Sequence, residues 1–183
     1  MADRRIDEFN AWAARDGWST RVDGDLQFRS PRLRKAHAVW TRAAAGDPLP
    51  SRAELTPRAM KSFLPNVVIW DVLRGAAANR YRLRVMGTAL ETVWGCGETG
   101  GLLDEDVAEP FRTRWQCIAD LSLALCKPLR CHGAIQYGNR TYYESETFQA
   151  PLAGEDGAPG AILFVHIVGA SVASHDLAVS IGP

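Results

Sequence analysis

Arg80-Tyr81-Arg82-Leu83-Arg84-Val85-Met86-Gly87-Thr88-Ala89-Leu90-Glu91 changes its period halfway along. From Arg80 to Val85 the residues alternate without a break. Tyr81, Leu83 and Val85 fall on one face and three arginines on the other. A period of two marks a strand with one buried face, so the arginines read as the wet face of a sheet rather than as an anion site. At Thr88 the alternation stops. Thr88 and Glu91 have the spacing of a capping box, which predicts a short helix through Val93 and Trp94. Gly95 is placed to close that helix in a left-handed cap.

The flanks extend this reading. Upstream, Val67-Val68-Ile69-Trp70-Asp71-Val72 is β-branched and aromatic and predicts a second strand, joined to the first by the small-residue loop 75–79. Downstream, Gly97, Gly100 and Gly101 make a flexible connection. No strand leads into these glycines as a nucleotide-binding fingerprint requires, so they are not a phosphate loop. Asp104 can cap another turn, and Pro110 can open the longest helix. Phe111, Trp115, Ile118, Leu121 and Leu125 share one side of that helix, and Lys127-Pro128 stops it. Three strands follow. Leu129–Tyr137 and Arg140–Gln149 are joined by Gly138-Asn139, a two-residue hairpin signal. The turn-rich loop 154–160 then leads to the apolar strand Ala161–Val168, which reads as central.

The chain enters this region through a helical lead-in. Ile6, Phe9, Trp12 and Ala13 have helical spacing, so an amphipathic helix is expected up to Gly17. Val22 to Phe28, with its Asp23-Gly24 turn signal, reads as a small hairpin or an arm that packs on the domain or on a second copy. Pro31 to Ala45 predicts a helix with Leu33, Ala36 and Trp40 on its apolar stripe. Thr56 and Pro57 start a short one that Pro65 ends. Three regions result: residues 1–30 as an N-terminal helix and arm, 31–170 as one domain with its lead-in, and 171–183 as a flexible tail. Five strands with helices gathered between the second and third give an α+β fold, a five-stranded antiparallel sheet with helices on one face.

Composition narrows the function. The 183 residues carry 21 basic and 21 acidic side chains, a formal net charge of zero, which argues against nucleic acid as a partner. One basic stretch, Arg29 to Arg42, reads as a solvated helix face, or as a docking patch for an acidic signalling partner. No apolar run approaches 18 residues, and the N-terminus lacks a secretory core. The expected location is therefore the cytoplasm, with no membrane partner and with reduced thiols at Cys96, Cys117, Cys126 and Cys131. No C-x-x-C pair is present, so no metal site is expected.

The strand from Arg80 and its turn resemble the second strand and turn of a bacterial family of PAS-like proteins common in alphaproteobacteria. Leu49-Pro50-Ser51-Arg52, Pro57 and Leu64-Pro65 resemble that family's lead-in. Thr99-Gly100 and Pro151-Leu152 resemble its later signposts. The resemblance covers about residues 36 to 170. It implies a PAS-like sensory fold, often stand-alone, with no output domain of its own. It also implies a pocket between the sheet and its covering helices, with Trp94, Phe111, Trp115, Ile118, Tyr143 and His166 as candidate lining. In haem-binding PAS domains the long helix usually offers a histidine, and between Pro110 and Cys126 there is none. Photoactive flavin members carry an Asn-Cys-Arg-type motif, of which only Cys96 has a counterpart here. No haem or photochemical flavin is expected, and the cofactor is left unassigned.

Three functions compete. The first is a sensor that binds a small apolar or amphipathic ligand, a protein partner, or both. The second is a homodimerising scaffold with a filled core, built through the apolar faces of the helices carrying Phe9, Trp12, Leu33 and Trp40; packing of those faces on their own sheet is the equal alternative. The third is a small cone-shaped enzyme using Asp120, Glu144, Glu146, His132 or His166. Glu144 and Glu146 look solvent-facing by alternation, and no catalytic motif accompanies them. The expectation is a non-enzyme.

Overall fold

A computed structural model of the chain describes residues 3–94, 98–137 and 140–169; the side chains of 92, 135–137 and 140–143 lie outside that description. The expected cap at Gly95, the thiol of Cys96, the turn at Gly138-Asn139 and the tail from 170 also lie outside it. Helix α1 spans Arg4–Arg15, with Asp3 as its cap accepting from the Arg5 N–H. Its apolar stripe, Phe9 and Ala13, packs on its own chain against Ile118, Leu125, Leu129 and Cys131. Gly17 turns the chain at φ 67°. The Asn10 carboxamide then clamps Val22 from both sides, donating to its carbonyl at 2.8 Å and accepting from its N–H at 2.9 Å.

That clamp sets the arm in place as strand β1, Arg21–Asp23. Helix α2 follows at Pro31–Ala44 and α3 at Pro57–Met60. The Thr56 hydroxyl accepts from Ala59 N–H at 3.3 Å, as a helix cap does. Strands β2 (Val67–Arg74) and β3 (Asn79–Met86) lead to helices α4 (Thr88–Trp94), α5 (Leu103–Asp106) and α6 (Phe111–Leu125). Strands β4 (Leu129–Tyr137), β5 (Arg140–Ala153) and β6 (Pro159–Val168) end the described fold. The sheet order is β1-β4-β5-β6-β2-β3, with every pairing antiparallel.

The α+β antiparallel architecture is the expected one, with two differences. The sheet has six described strands rather than five, because Arg21, Val22 and Asp23 pair with His132, Cys131 and Arg130 of β4. Three residues with one apolar position are too short to announce a strand. The sheet is also covered on both faces. Val67, Ile69, Leu163 and Val165 pack under α2 and α3. Their strand neighbours Val68, Trp70 and Ile162 pack under α4, α5 and α6. A strand buried on both sides reads as a continuous apolar run, which is the pattern of β2 and β6.

Helix α4 starts one residue earlier than the capping-box reading places it. The Gly87 carbonyl accepts from Leu90 and Glu91 N–H, while Gly87 N–H donates to Val67 O at 2.7 Å. A Cβ at Gly87 would lie 2.4 Å from Pro65 O, so this crossing demands glycine. The arginines of β3 are paired across the surface, Arg80 with Asp104 and Glu105, and Arg82 and Arg84 with Asp71.

Glu146 departs most from its sequence reading. It is 1 % exposed, because α2 begins directly over it. Its carboxylate accepts from Arg29 and Ser30 N–H at 3.0 and 2.9 Å and from Arg130 Nε at 2.7 Å. Arg130 reaches on to Asp23 at 3.0 Å. Ser30, the cap residue of α2, makes no side-chain cap bond, and Glu146 places negative charge at the helix start instead, where the macrodipole favours it. Burial works to raise this carboxyl's pKa, but the two backbone donors and Arg130 outweigh it and hold it below the usual range. Glu144 is exposed, as expected. Among the described residues no helix is long and apolar enough to cross a membrane.

Candidate functional site

The face of the sheet under α6 is not filled. A cavity of about 460 Å³ lies there, within the size range of small-molecule sites. Its roof is α6, through Phe111, Arg114, Trp115 and Ile118. These residues follow helical spacing from Pro110, which starts the helix, and Cys126 ends it in a left-handed cap at φ 52°. The floor comes from alternate residues of neighbouring strands. Cys131, Thr147 and His166 stand opposite one another across β4, β5 and β6, and Gln149 pairs with Phe164 beside them. Trp94 on α4 closes the far side, its ring 4.3 Å from Trp115 and 5.8 Å from His166.

The near wall is the arm. Gly17, Trp18, Ser19 and Thr20 line the cavity. The arm lies directly on β4, where a Cβ at Gly133 (φ 150°) would stand 2.5 Å from Ser19 O. Glycine at 133 is thus what lets the wall approach the floor. Trp18 packs edge-on to Phe9 and Trp12, and the Arg114 guanidinium sits 5.3 Å from a Trp18 ring centroid, within cation–π range.

The walls are aromatic, but the polar groups among them are incompletely satisfied. His166 Nδ1 bonds the Thr147 hydroxyl at 2.6 Å, while its Nε2 is buried with no hydrogen-bond partner among the described residues. Burial pushes the pKa of His166 down to about 4, so the ring is neutral near pH 7. Gln149 donates from Nε2 to Ile118 O at 2.8 Å and leaves Oε1 without a partner among the described residues. Trp94 Nε1 and Arg114 Nε are in the same position. A buried polar atom left unpaired costs about 1–3 kcal/mol, and four such atoms belong to residues that line this one cavity. Burial pushes the Cys131 thiol up to about 12, leaving it a protonated, apolar part of the floor.

Of the six residues predicted to line a pocket, the structure brings Trp94, Phe111, Trp115, Ile118 and His166 together around this cavity. The backbone of Tyr143 pairs with Ile135 in the sheet, and its side chain lies outside the description. Sequence reasoning missed Thr147 and Gln149. Alternation would place them on one face, but which face is the floor depends on strand pairing. It also missed Arg114 and Trp18; the second belongs to the arm, whose position no local pattern gives. The groups weighed as acids and bases are dispersed. Asp120 holds Tyr81 and the Asn79 carboxamide. His132 and Glu146 face each other on the α2 side of the sheet, opposite His166.

A family model described as PAS domain matches residues 28–165, well over half of the chain. The chain belongs to the PAS domain family. No curated relative and no solved structure matches it. PAS domains are typically sensory or regulatory and non-enzymatic. In this PAS domain the cavity is built mostly from residues inside the matched span. The wall 17–20, with α1 behind it, lies before the span begins.

Proposed function

We propose that this PAS domain senses a small amphipathic molecule, which it holds between α6 and the sheet. The observation that carries this reading is the cavity itself: aromatic walls, about 460 Å³, and four buried polar atoms on its lining residues without partners among the described residues. A core selected only for packing would close such a space. The lining that the arm contributes supports a route for the signal. A ligand touching Trp18 or Thr20 contacts the segment that runs into β1 and, through Asp23 and Arg130, into the start of α2. A protein partner would then read the altered arm.

The full chain, purified under mild conditions, is to be weighed by native and by denaturing mass spectrometry. The expected result is an added mass that denaturation removes, with restoration of the mass raising the melting temperature. If the native mass equals the bare chain and no compound in a small-molecule library stabilises the protein, the sensor reading fails and a filled-core scaffold takes its place.

A further inference from the structure

The cavity is asymmetric in charge, and the asymmetry identifies a chemical class. Among the described residues no Asp or Glu lines it, whereas Arg114 does. Arg114 makes a long ion pair with Asp16, 3.8 Å from a terminal guanidinium nitrogen to a carboxylate whose side chain is half exposed. That distance is too long for a hydrogen bond. Arg114 Nε is buried and has no hydrogen-bond partner among the described residues. Beyond the Asp16 pair and Trp18, the guanidinium has no hydrogen-bonded, planar two-oxygen partner among the described residues, the kind its fork geometry suits. The remaining walls offer flat rings. Trp94 and Trp115 overlap at 4.3 Å with 37° between their planes, and Phe164 and Trp70 lie on the floor side.

The guanidinium and the Trp94 ring sit toward different strands. Arg114 is beside Trp18 of the arm, which packs over the β4 side of the sheet with Cys131. Trp94 is beside His166 on β6, two strands away. Between them, Gln149 is 0 % and His166 8 % exposed, each with an unused polar atom.

Building on the sensor reading above, we propose that the ligand class is the planar aromatic carboxylates, of one or two rings, with the carboxylate on Arg114 and the ring system against Trp94 and Trp115. Aromatic stacking supplies shape selection. The charge-assisted pair supplies the preference for an acid over its neutral analogue. A hydrogen bond to a charged group is worth about 1.5–3 kcal/mol, so the acid should bind roughly ten- to a hundredfold more tightly than the amide of the same shape.

The test uses 2-naphthoate and 2-naphthamide, titrated calorimetrically into the full chain after refolding from urea to strip any resident molecule. Wild type should prefer the acid by at least about tenfold. Arg114→Gln should lose that preference, the acid weakening at least about tenfold more than the amide, and Arg114→Lys should keep part of it. Urea midpoints check that both variants fold; if Arg114→Gln does not, weakening of the acid but not the amide at high salt in wild type replaces it. Equal binding of acid and amide by wild type overturns the carboxylate class and leaves the sensor reading standing. So does the absence of binding by either probe when native mass spectrometry shows a different resident mass. If no resident mass is found and neither probe binds, the carboxylate class is overturned, and the sensor reading falls with it only when no library compound stabilises the chain either.

Discussion

Replacing His166 by Gln should flatten the acid limb of the stability profile. His166 is buried against Thr147 and Trp94, and burial alone displaces its pKa from the ordinary 6.5 to about 4. The sign follows from proton counting. Between these two values the unfolded chain binds a proton at this histidine and the folded chain does not, so stability falls as pH falls. The contribution is fully present above pH 6.5 and is lost progressively down to about pH 4. Each tenfold change in proton affinity is worth about 1.4 kcal/mol, so the whole loss comes to roughly 3 kcal/mol. Other groups titrate in the same window. Burial also lowers His37 and His132, which act in the same direction. Asp23 acts in the opposite direction: burial, and then its contact with Asp25, raises it to about 6, so the folded chain gains stability there as pH falls. Only a difference between proteins isolates His166. Gln keeps a polar partner for Thr147 and cannot titrate. Urea unfolding of both proteins, stripped of ligand, at about pH 7.5, 6.5, 5.5 and 4.5 gives the two curves. Wild type should lose about 2–3 kcal/mol more than His166→Gln across that range. Parallel curves would refute the argument, since a histidine that is hydrated or paired in the folded state has no such term.

The remaining expectations concern the frame around the cavity. Glu146→Ala removes the partner of a buried Arg130 and the acceptor for Arg29 and Ser30 N–H; it should cost about 3–5 kcal/mol in urea unfolding, with Glu146→Gln costing less because it keeps the acceptor. Gly87→Ala puts a methyl 2.4 Å from Pro65 O; it should lower the melting temperature by several degrees, corresponding to about 1–3 kcal/mol, with an unchanged temperature arguing that the crossing relaxes freely.

The sequence makes the frame visible where a single period runs long enough. Arg80–Val85 alternates for six residues, and Phe111, Trp115 and Ile118 repeat at helical spacing; both elements are where the pattern puts them. Five of the six pocket residues meet for the same reason, since they stand on the apolar side of a helix or in an apolar strand. What the pattern leaves out depends on pairing. Glu146 alternates like Glu144, yet α2 starts above one and not the other, so the two differ in burial although their local sequence context is nearly equal. Arg130 lies in a half-buried strand, and its value as a partner appears only once Asp23 is brought beside it by β1. Thr147 and Gln149 take their role from the register with His166 and Phe164. Arg114 looks like any surface arginine of an amphipathic helix until the arm is in place.

The three residues of β1 have a consequence for colloidal behaviour. An open strand edge is a template on which a second chain can add. On one side of this sheet that edge belongs to β4, and Arg21, Val22 and Asp23 occupy it. What they present outward is three residues long and charged at both ends, a poor template. On the other side, the backbone of Gly100 and Gly101 bonds Leu83 of β3 and blocks part of the second edge. A chain whose arm is displaced would therefore be sticky as well as less stable, and sample turbidity would report the position of residues 21–23 as directly as any spectroscopic probe.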